Sequence, residues 1–274
     1  RFELLKTAYE KSDISEREEF KRFKAENAYW LKDYAMFMAI KERFNGQSFD
    51  HWAEDIKLRW EYSMEYYESE LADEITFYEF IQYEFYRQWY KLKKYANDNG
   101  IKIIGDIPIY VAYDSADVWA HPELFQIDDE RNPIAVAGCP PDGFSATGQL
   151  WGNPLYKWDY HKYTNYDWWI KRIERSVKLY DVVRIDHFRG FDEYYSIPAK
   201  DKDAIGGHWE KGPGIDLFNG IKYCLGDINI IAEDLGYITD TVRQLVKDSG
   251  FPNMKVLEFA FDSRDSSGPR DYLP

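Results

Sequence analysis

The rhythm of apolar and polar positions changes near residue 100. Upstream of it, apolar residues recur three and four apart, the spacing of one helix face. Phe20, Phe23, Trp30, Leu31, Tyr34, Phe37 and Met38 form one stripe, and Tyr78, Ile81, Phe85, Trp89, Leu92 and Tyr95 form another. Ser15-Glu16-Arg17-Glu18 ahead of the first stripe has the form of a capping box, with Ser15 satisfying an orphan amide and Glu18 reaching back. Asn45-Gly46 and Asn97-Asp98-Asn99-Gly100 supply helix stops, because Asn and Gly tolerate the left-handed backbone of a helix terminus. Both stripes read as packing faces. Residues 1–98 are expected to form a helical subdomain.

Beyond Gly100 the pattern becomes short apolar runs. Ile101–Ile107, Asp181–Asp186, Ile228–Glu233 and Met254–Phe259 are β-rich, and helical patterns near 166–180, 215–226 and 240–249 precede or separate them. Thr239 or Asp240 caps the last helix and Gly250 stops it. Alternation of this kind predicts an α/β fold, a parallel sheet with crossover helices, over residues 99–274. The stretch 112–165, rich in Pro, Gly and Asp, reads as one long loop following a strand, and such loops in compact domains are usually functional.

Each run places a carboxylate near its C-terminal end: Asp106, Asp186, Glu233 and Glu258. Buried in apolar strands without partners, four acids would be costly, so a shared chemical task is expected. Arg184 and Asp186 are two apart and point to the same side of a strand. The guanidinium favours an ionised carboxylate, which suits a nucleophile; a structural ion pair is the equal alternative. Glu233 follows an apolar wall, Ile230-Ile231-Ala232, which favours a carboxyl that holds its proton. Two acids in unlike settings, about 5–6 Å apart, are what retaining glycoside chemistry requires. His187 is expected to point away from the site unless the chain turns after Asp186.

Composition narrows the partner. With 35 basic and 49 acidic residues the net charge is −14, the wrong sign for a nucleic-acid backbone. No apolar run approaches the ~20 residues that span a bilayer, and no signal peptide is visible; the opening Arg1-Phe2-Glu3 suggests a piece of a longer polypeptide. Two cysteines, Cys139 and Cys224, make no disulfide framework, so a reducing, cytoplasmic compartment is expected. His51, His121, His161 and His208 lack metal-ligand spacing, and neither a dinucleotide fingerprint nor a phosphate loop occurs, so no metal or cofactor is expected. Ten Trp, 23 Tyr and 17 Phe make the chain 18% aromatic; this reads first as core, and second as sugar-stacking surface.

The stretches Gly105–Ala112, Asp114–Trp119, Pro140–Ser145, Trp151–Tyr156, Val183–Gly190 and Ala232–Gly236, in this order, resemble the 4-α-glucanotransferase (amylomaltase) family of the α-amylase clan. Asp186 and Glu233 lie 233 − 186 = 47 positions apart, which matches as well. The resemblance is strong over about 100–262 and weaker over 1–98, which resembles the family's helical insertion. It implies part of a (β/α)8 barrel, about four βα units, with Asp186 as nucleophile and Glu233 as general acid/base. It implies further that Arg184, His187 and Asp106 surround the sugar at the cleavage point, and that Asp142 and Trp151 sit in a loop covering the bound glucan. The expected partners are malto-oligosaccharides, with no cofactor. Two departures stand out. The family's third carboxylate, in a His-Asp-Asn stretch, is absent, and Glu258 stands where an amide is more usual. A hydrolase of the same clan and an inactive glucan-binding fragment are the alternatives, and open barrel edges would favour self-association.

Overall fold

The computed structural model describes residues 2–257 except Phe144 and Tyr237. In chain order the elements are α1 (Phe2–Glu10), α2 (Glu18–Arg43), α3 (Glu54–Lys57), α4 (Glu61–Glu70), α5 (Ala72–Asp98) and β1 (Ile104–Pro108). Then come α6 (Ala116–Ala120), β2 (Ala135–Cys139), β3 (Gln149–Pro154), α7 (Trp158–Tyr163), α8 (Asp167–Leu179) and β4 (Val182–Asp186). The chain continues through β5 (Glu193–Pro198), β6 (His208–Lys211), α9 (Ile215–Leu225), β7 (Ile230–Ala232) and α10 (Asp240–Ser249). Contacts divide it into two units, one of residues 1–101, 110–161 and 195–208, the other of 102–109, 162–194 and 209–274. This division differs from the boundary at 98/99 that the hydrophobic pattern suggests.

In the first unit α2 packs along α5. Phe20 of α2 joins Tyr9, Ile14, Phe77 and Phe80 in a buried cluster, and Phe23 meets Tyr86 at 5.7 Å between ring centroids. The first stripe is therefore packed inward, whereas in the second Tyr78 is buried and Phe85, Leu92 and Tyr95 are exposed. The stop at Asn45-Gly46 forms as expected, with φ of 54° and 77° and the Gly46 N–H donating to the Lys41 carbonyl at 2.8 Å. The capping box does not form. Ser15 lies inside a short 3-10 turn (Ile14–Glu16), and Arg17 is the N-cap of α2 with no side-chain bond. The tight turn uses up the residues that a box would need.

The segment 112–165 is not a single loop. It contains β2 and β3, paired antiparallel with Cys139 opposite Gln149 and Gly138 opposite Leu150. Together with β5 and β6 they form a four-stranded sheet in the order β3-β2-β5-β6.

The second unit holds a parallel sheet of three strands in the order β1-β4-β7. Alternate residues Gly105, Ile107, Val183, Ile185, Ile230 and Ala232 bury one face. Helix α8 packs on β1 and β4 and against α9, which meets α10. Gly105 is required here: a Cβ would lie 2.0 Å from the Tyr180 ring. The α10 boundaries are as expected, with Thr239 accepting from the Val242 N–H and Gly250 at φ 72°. The run 254–259 does not give a fourth strand among the described residues. Only Asn253 bridges in parallel to Ala232, no regular strand covers Met254–Val256, and Glu258 lies outside the described residues. The sheet is open and does not close into a barrel.

Candidate active site

The other face of the parallel sheet carries the charged residues. Asp106 is paired with Arg184 across the β1–β4 ladder, and Pro108 with Asp186. Residues opposite each other in a ladder share a face, as do residues two apart on one strand, so Asp106, Arg184 and Asp186 project together. Arg184 Nη1 donates to both Asp106 oxygens at 2.7 and 2.8 Å, and Nη2 to Asp186 Oδ1 at 2.8 Å. Its Nε lies 3.0 Å from the Met254 sulfur. Partial burial pulls the guanidinium down, but the two carboxylates outweigh it and hold Arg184 above its ordinary range. The acids are not sunk in apolar surroundings as the runs suggest: the side chains of Asp106 and Asp186 are 60% and 48% exposed. One guanidinium shared by both carboxylates keeps them side by side.

Glu233 follows β7 and is buried. The apolar wall at 230–232 suggests an acid in a greasy setting, but its oxygens meet peptide donors. Oε2 accepts from the His187 N–H at 2.8 Å and Oε1 from the Leu235 N–H at 2.9 Å. The Glu233 main chain is tied as well, its N–H donating to the Ile185 carbonyl at 3.1 Å and its carbonyl accepting from Phe188 at 3.0 Å. The chain turns after Asp186: His187 adopts the left-handed conformation, φ 56°, ψ 47°. That turn aims its N–H at Glu233, so consecutive residues serve the two acids. Burial, with Arg189 nearby, pushes the His187 imidazole down to about 4, so the ring is neutral at physiological pH.

Asp142 and Trp151 belong to the other unit. Asp142 Oδ1 accepts from the Ser145 N–H at 2.7 Å, closing a tight turn. Trp151 is 37% exposed, its Nε1 donates to Gln149 Oε1 at 3.0 Å, and its ring centroid lies 6.3 Å from that of Tyr110. Tyr110, which stacks on Tyr156 at 5.9 Å, was not singled out from the sequence, although it sits inside the stretch Gly105–Ala112. Arg189 and Trp209 were likewise missed, and the pattern gave no sign that they meet. Among the described residues no cluster of His, Cys, Asp and Glu could hold a metal, and no helix is long and apolar enough to cross a membrane.

A 4-α-glucanotransferase from Clostridium butyricum is 50% identical over all of this chain and 56% of its own length. One from Thermus thermophilus is 49% identical over 92% of this chain and 51% of its own. The chain thus spans about half the length of the curated relatives it matches. Among solved structures, the amylomaltase from Streptococcus agalactiae in complex with acarbose superposes with a TM-score of 0.91 at 47% identity, covering 96% of this chain and 54% of that one. The amylomaltase from Corynebacterium glutamicum, 21% identical, shares the fold at a TM-score of 0.75, over 96% of this chain and 35% of that one. The family model for 4-alpha-glucanotransferase matches residues 1–274, and the chain belongs to that family.

Proposed function

We propose that the chain carries the nucleophile and the acid/base of a retaining 4-α-glucanotransferase. The observation that supports this best is the joint arrangement of the acids: Arg184 bridges Asp106 and Asp186, while the residue after Asp186 binds the carboxyl of Glu233. Asp186, oriented by the bond from Arg184, attacks the anomeric carbon of a 1,4-α-glucan. Glu233 gives its proton to the departing glycosidic oxygen, which leaves as the 4-hydroxyl of the released segment. A glucosyl ester on Asp186 results. Glu233 then takes the proton of an incoming 4-hydroxyl, whose oxygen displaces Asp186 and restores both acids. Asp106 and the neutral His187 flank the reacting sugar; Asp142 and Trp151, in the other unit, are glucan-binding residues, the exposed part of the indole offering a stacking surface.

The β1-β4-β7 sheet is, in this proposal, a segment of a (β/α)8 barrel, since its charged face carries the chemistry at the strands' C-terminal ends. Among the described residues no strand pairs with the outer edge of β1, and that of β7 is bridged only at Ala232, so self-association is an expected property. Cys139 and Cys224 are not in disulfides, which fits a cytoplasmic setting. The test is incubation of the intact polypeptide with maltotriose and labelled glucose. Label appearing in longer maltodextrins supports transfer. Release of glucose with no incorporation shows hydrolysis instead, and a fluorinated glycosyl fluoride that labels a residue other than Asp186 overturns the nucleophile assignment.

A further inference from the structure

The turn at His187 is costly, because in the left-handed region the Cβ of a non-glycine residue crowds the following carbonyl, so something must hold it. The residues after it form a short 3-10 turn, Phe188–Phe191, all four of them buried. Within it Arg189 is only 4% exposed, and its guanidinium carbon lies 3.9 Å from the centroid of the Trp209 ring. A desolvated cation over an indole face is among the stronger contacts of this type.

Trp209 comes from β6, outside every motif noted in the sequence. The residues that follow it in the chain fasten the end of the turn and the start of β5. Tyr194 donates to Glu210 at 2.7 Å, and Lys211 pairs with Glu193 at 2.6 Å. The Gly212 and Gly214 N–H groups donate to the carbonyls of Asp192 and Phe191, each at 2.8 Å. Gly212 passes so close that a Cβ would lie 2.3 Å from the Phe191 oxygen. Arg189 is therefore held by Trp209 of β6, two residues beyond the amide that binds Glu233.

We propose that Trp209 is a positioning residue: by carrying Arg189 on its ring, it fixes the turn that holds the His187 N–H on the Glu233 carboxyl. Without the ring the turn relaxes toward ordinary backbone, and Glu233 loses one of its two amide anchors. Arg189 also adds to the burial that keeps the His187 ring neutral, so the same stack serves both groups.

The catalytic part of this inference rests on the glucanotransferase reading, so the test has a kinetic arm and a structural arm, both on the intact polypeptide. The variants are Trp209→Ala, Trp209→Phe, which keeps an aromatic face, and Trp209→Leu, which replaces Ala should that variant fail to fold. In maltotriose disproportionation, Trp209→Ala is expected to lower kcat about ten- to a hundredfold, as small misplacements of catalytic groups do, with KM within about threefold; Trp209→Phe restores most of the loss. In the structural arm, selective 15N-histidine labelling follows the His187 amide, assigned by its disappearance in His187→Gln. The amide proton moves upfield in Trp209→Ala or Trp209→Leu and returns in Trp209→Phe. An unmoved amide, a shift that Phe does not reverse, or a shifted amide with unchanged kcat overturns the proposal. A parent protein without any glucan turnover refutes the glucanotransferase reading, and the amide shift then still decides whether the ring holds the turn.

Discussion

Replacing Asp186 with Asn tests the site most directly, because the structure separates its chemical from its structural effect. Arg184 makes three bonds to carboxylate oxygens, two to Asp106 and one to Asp186. The variant leaves the first two untouched and turns the third from an ion pair into a bond from the guanidinium to a neutral amide oxygen, which loses the charge–charge attraction but keeps the donor. The pair is partly exposed, with side-chain accessibilities of 24% for Arg184 and 48% for Asp186, so solvent screening confines its worth to about 0–1 kcal/mol. The loss in stability should stay below about 1 kcal/mol, or ~4 °C in Tm for a protein of this size. Turnover should fall far more. Asn cannot form the glycosyl ester, and removal of a nucleophile commonly costs on the order of 10⁴ or more in kcat. Maltotriose disproportionation, calorimetric binding of a maltodextrin and a thermal melt on the same preparation read all three quantities. Binding should remain within about threefold, since rings and neutral hydrogen bonds supply most affinity for a neutral sugar. Residual turnover above roughly 5% of the parent, after contamination is excluded, removes Asp186 from the nucleophile role. A Tm drop beyond ~8 °C shows that the ion pair carries structure that this arithmetic denies it.

Three further outcomes are expected. Gly105→Ala forces a Cβ to within 2.0 Å of the Tyr180 ring, so overpacking should cost about 1–3 kcal/mol, read as a lower urea midpoint at unchanged slope. His161 is fully buried, and burial pushes its imidazole down to about 4 from 6.5. The unfolded chain therefore binds the extra proton between those values, so stability is unaffected above pH 6.5, falls by up to about 1.4 kcal/mol per pH unit as pH drops toward 4, and levels off below; urea unfolding at pH 7 and 5 should show a smaller loss in His161→Phe than in the parent. Trp151→Ala should raise KM for maltodextrins about tenfold, the ~1–1.5 kcal/mol of an aromatic contact, with Tm unchanged because the ring is exposed; an unaltered KM would remove Trp151 from the glucan contact.

What the sequence made legible was what local physics decides. Thr239 and Gly250 bracket α10 because a hydroxyl cap and a left-handed glycine act within a few residues. The runs ending in Asp106, Asp186 and Glu233 show as strands because β-branched residues crowd them. Non-local pairing left no such trace. In β2, Ala135-Val136-Ala137-Gly138-Cys139 has small side chains, and its partner β5 lies about sixty residues downstream, so nothing nearby signals it. The acids were found by position, but their settings were not: Ile230 and Ala232 before Glu233 turn into the buried face of the sheet, while its oxygens meet amides contributed by residues 187 and 235. The stack of Arg189 on Trp209 joins residues twenty apart whose spacing follows no helix or strand period.

The two bonds to the Glu233 carboxyl have an evolutionary corollary. Both donors, at His187 and Leu235, are main-chain amides, and every residue but proline supplies one. Side chains at 187 and 235 can drift without deleting either donor, and only a codon change to proline removes one outright. The orientation of this acid is thus insulated from most single-nucleotide change, and variation at those two positions is left free to tune what the side chains touch.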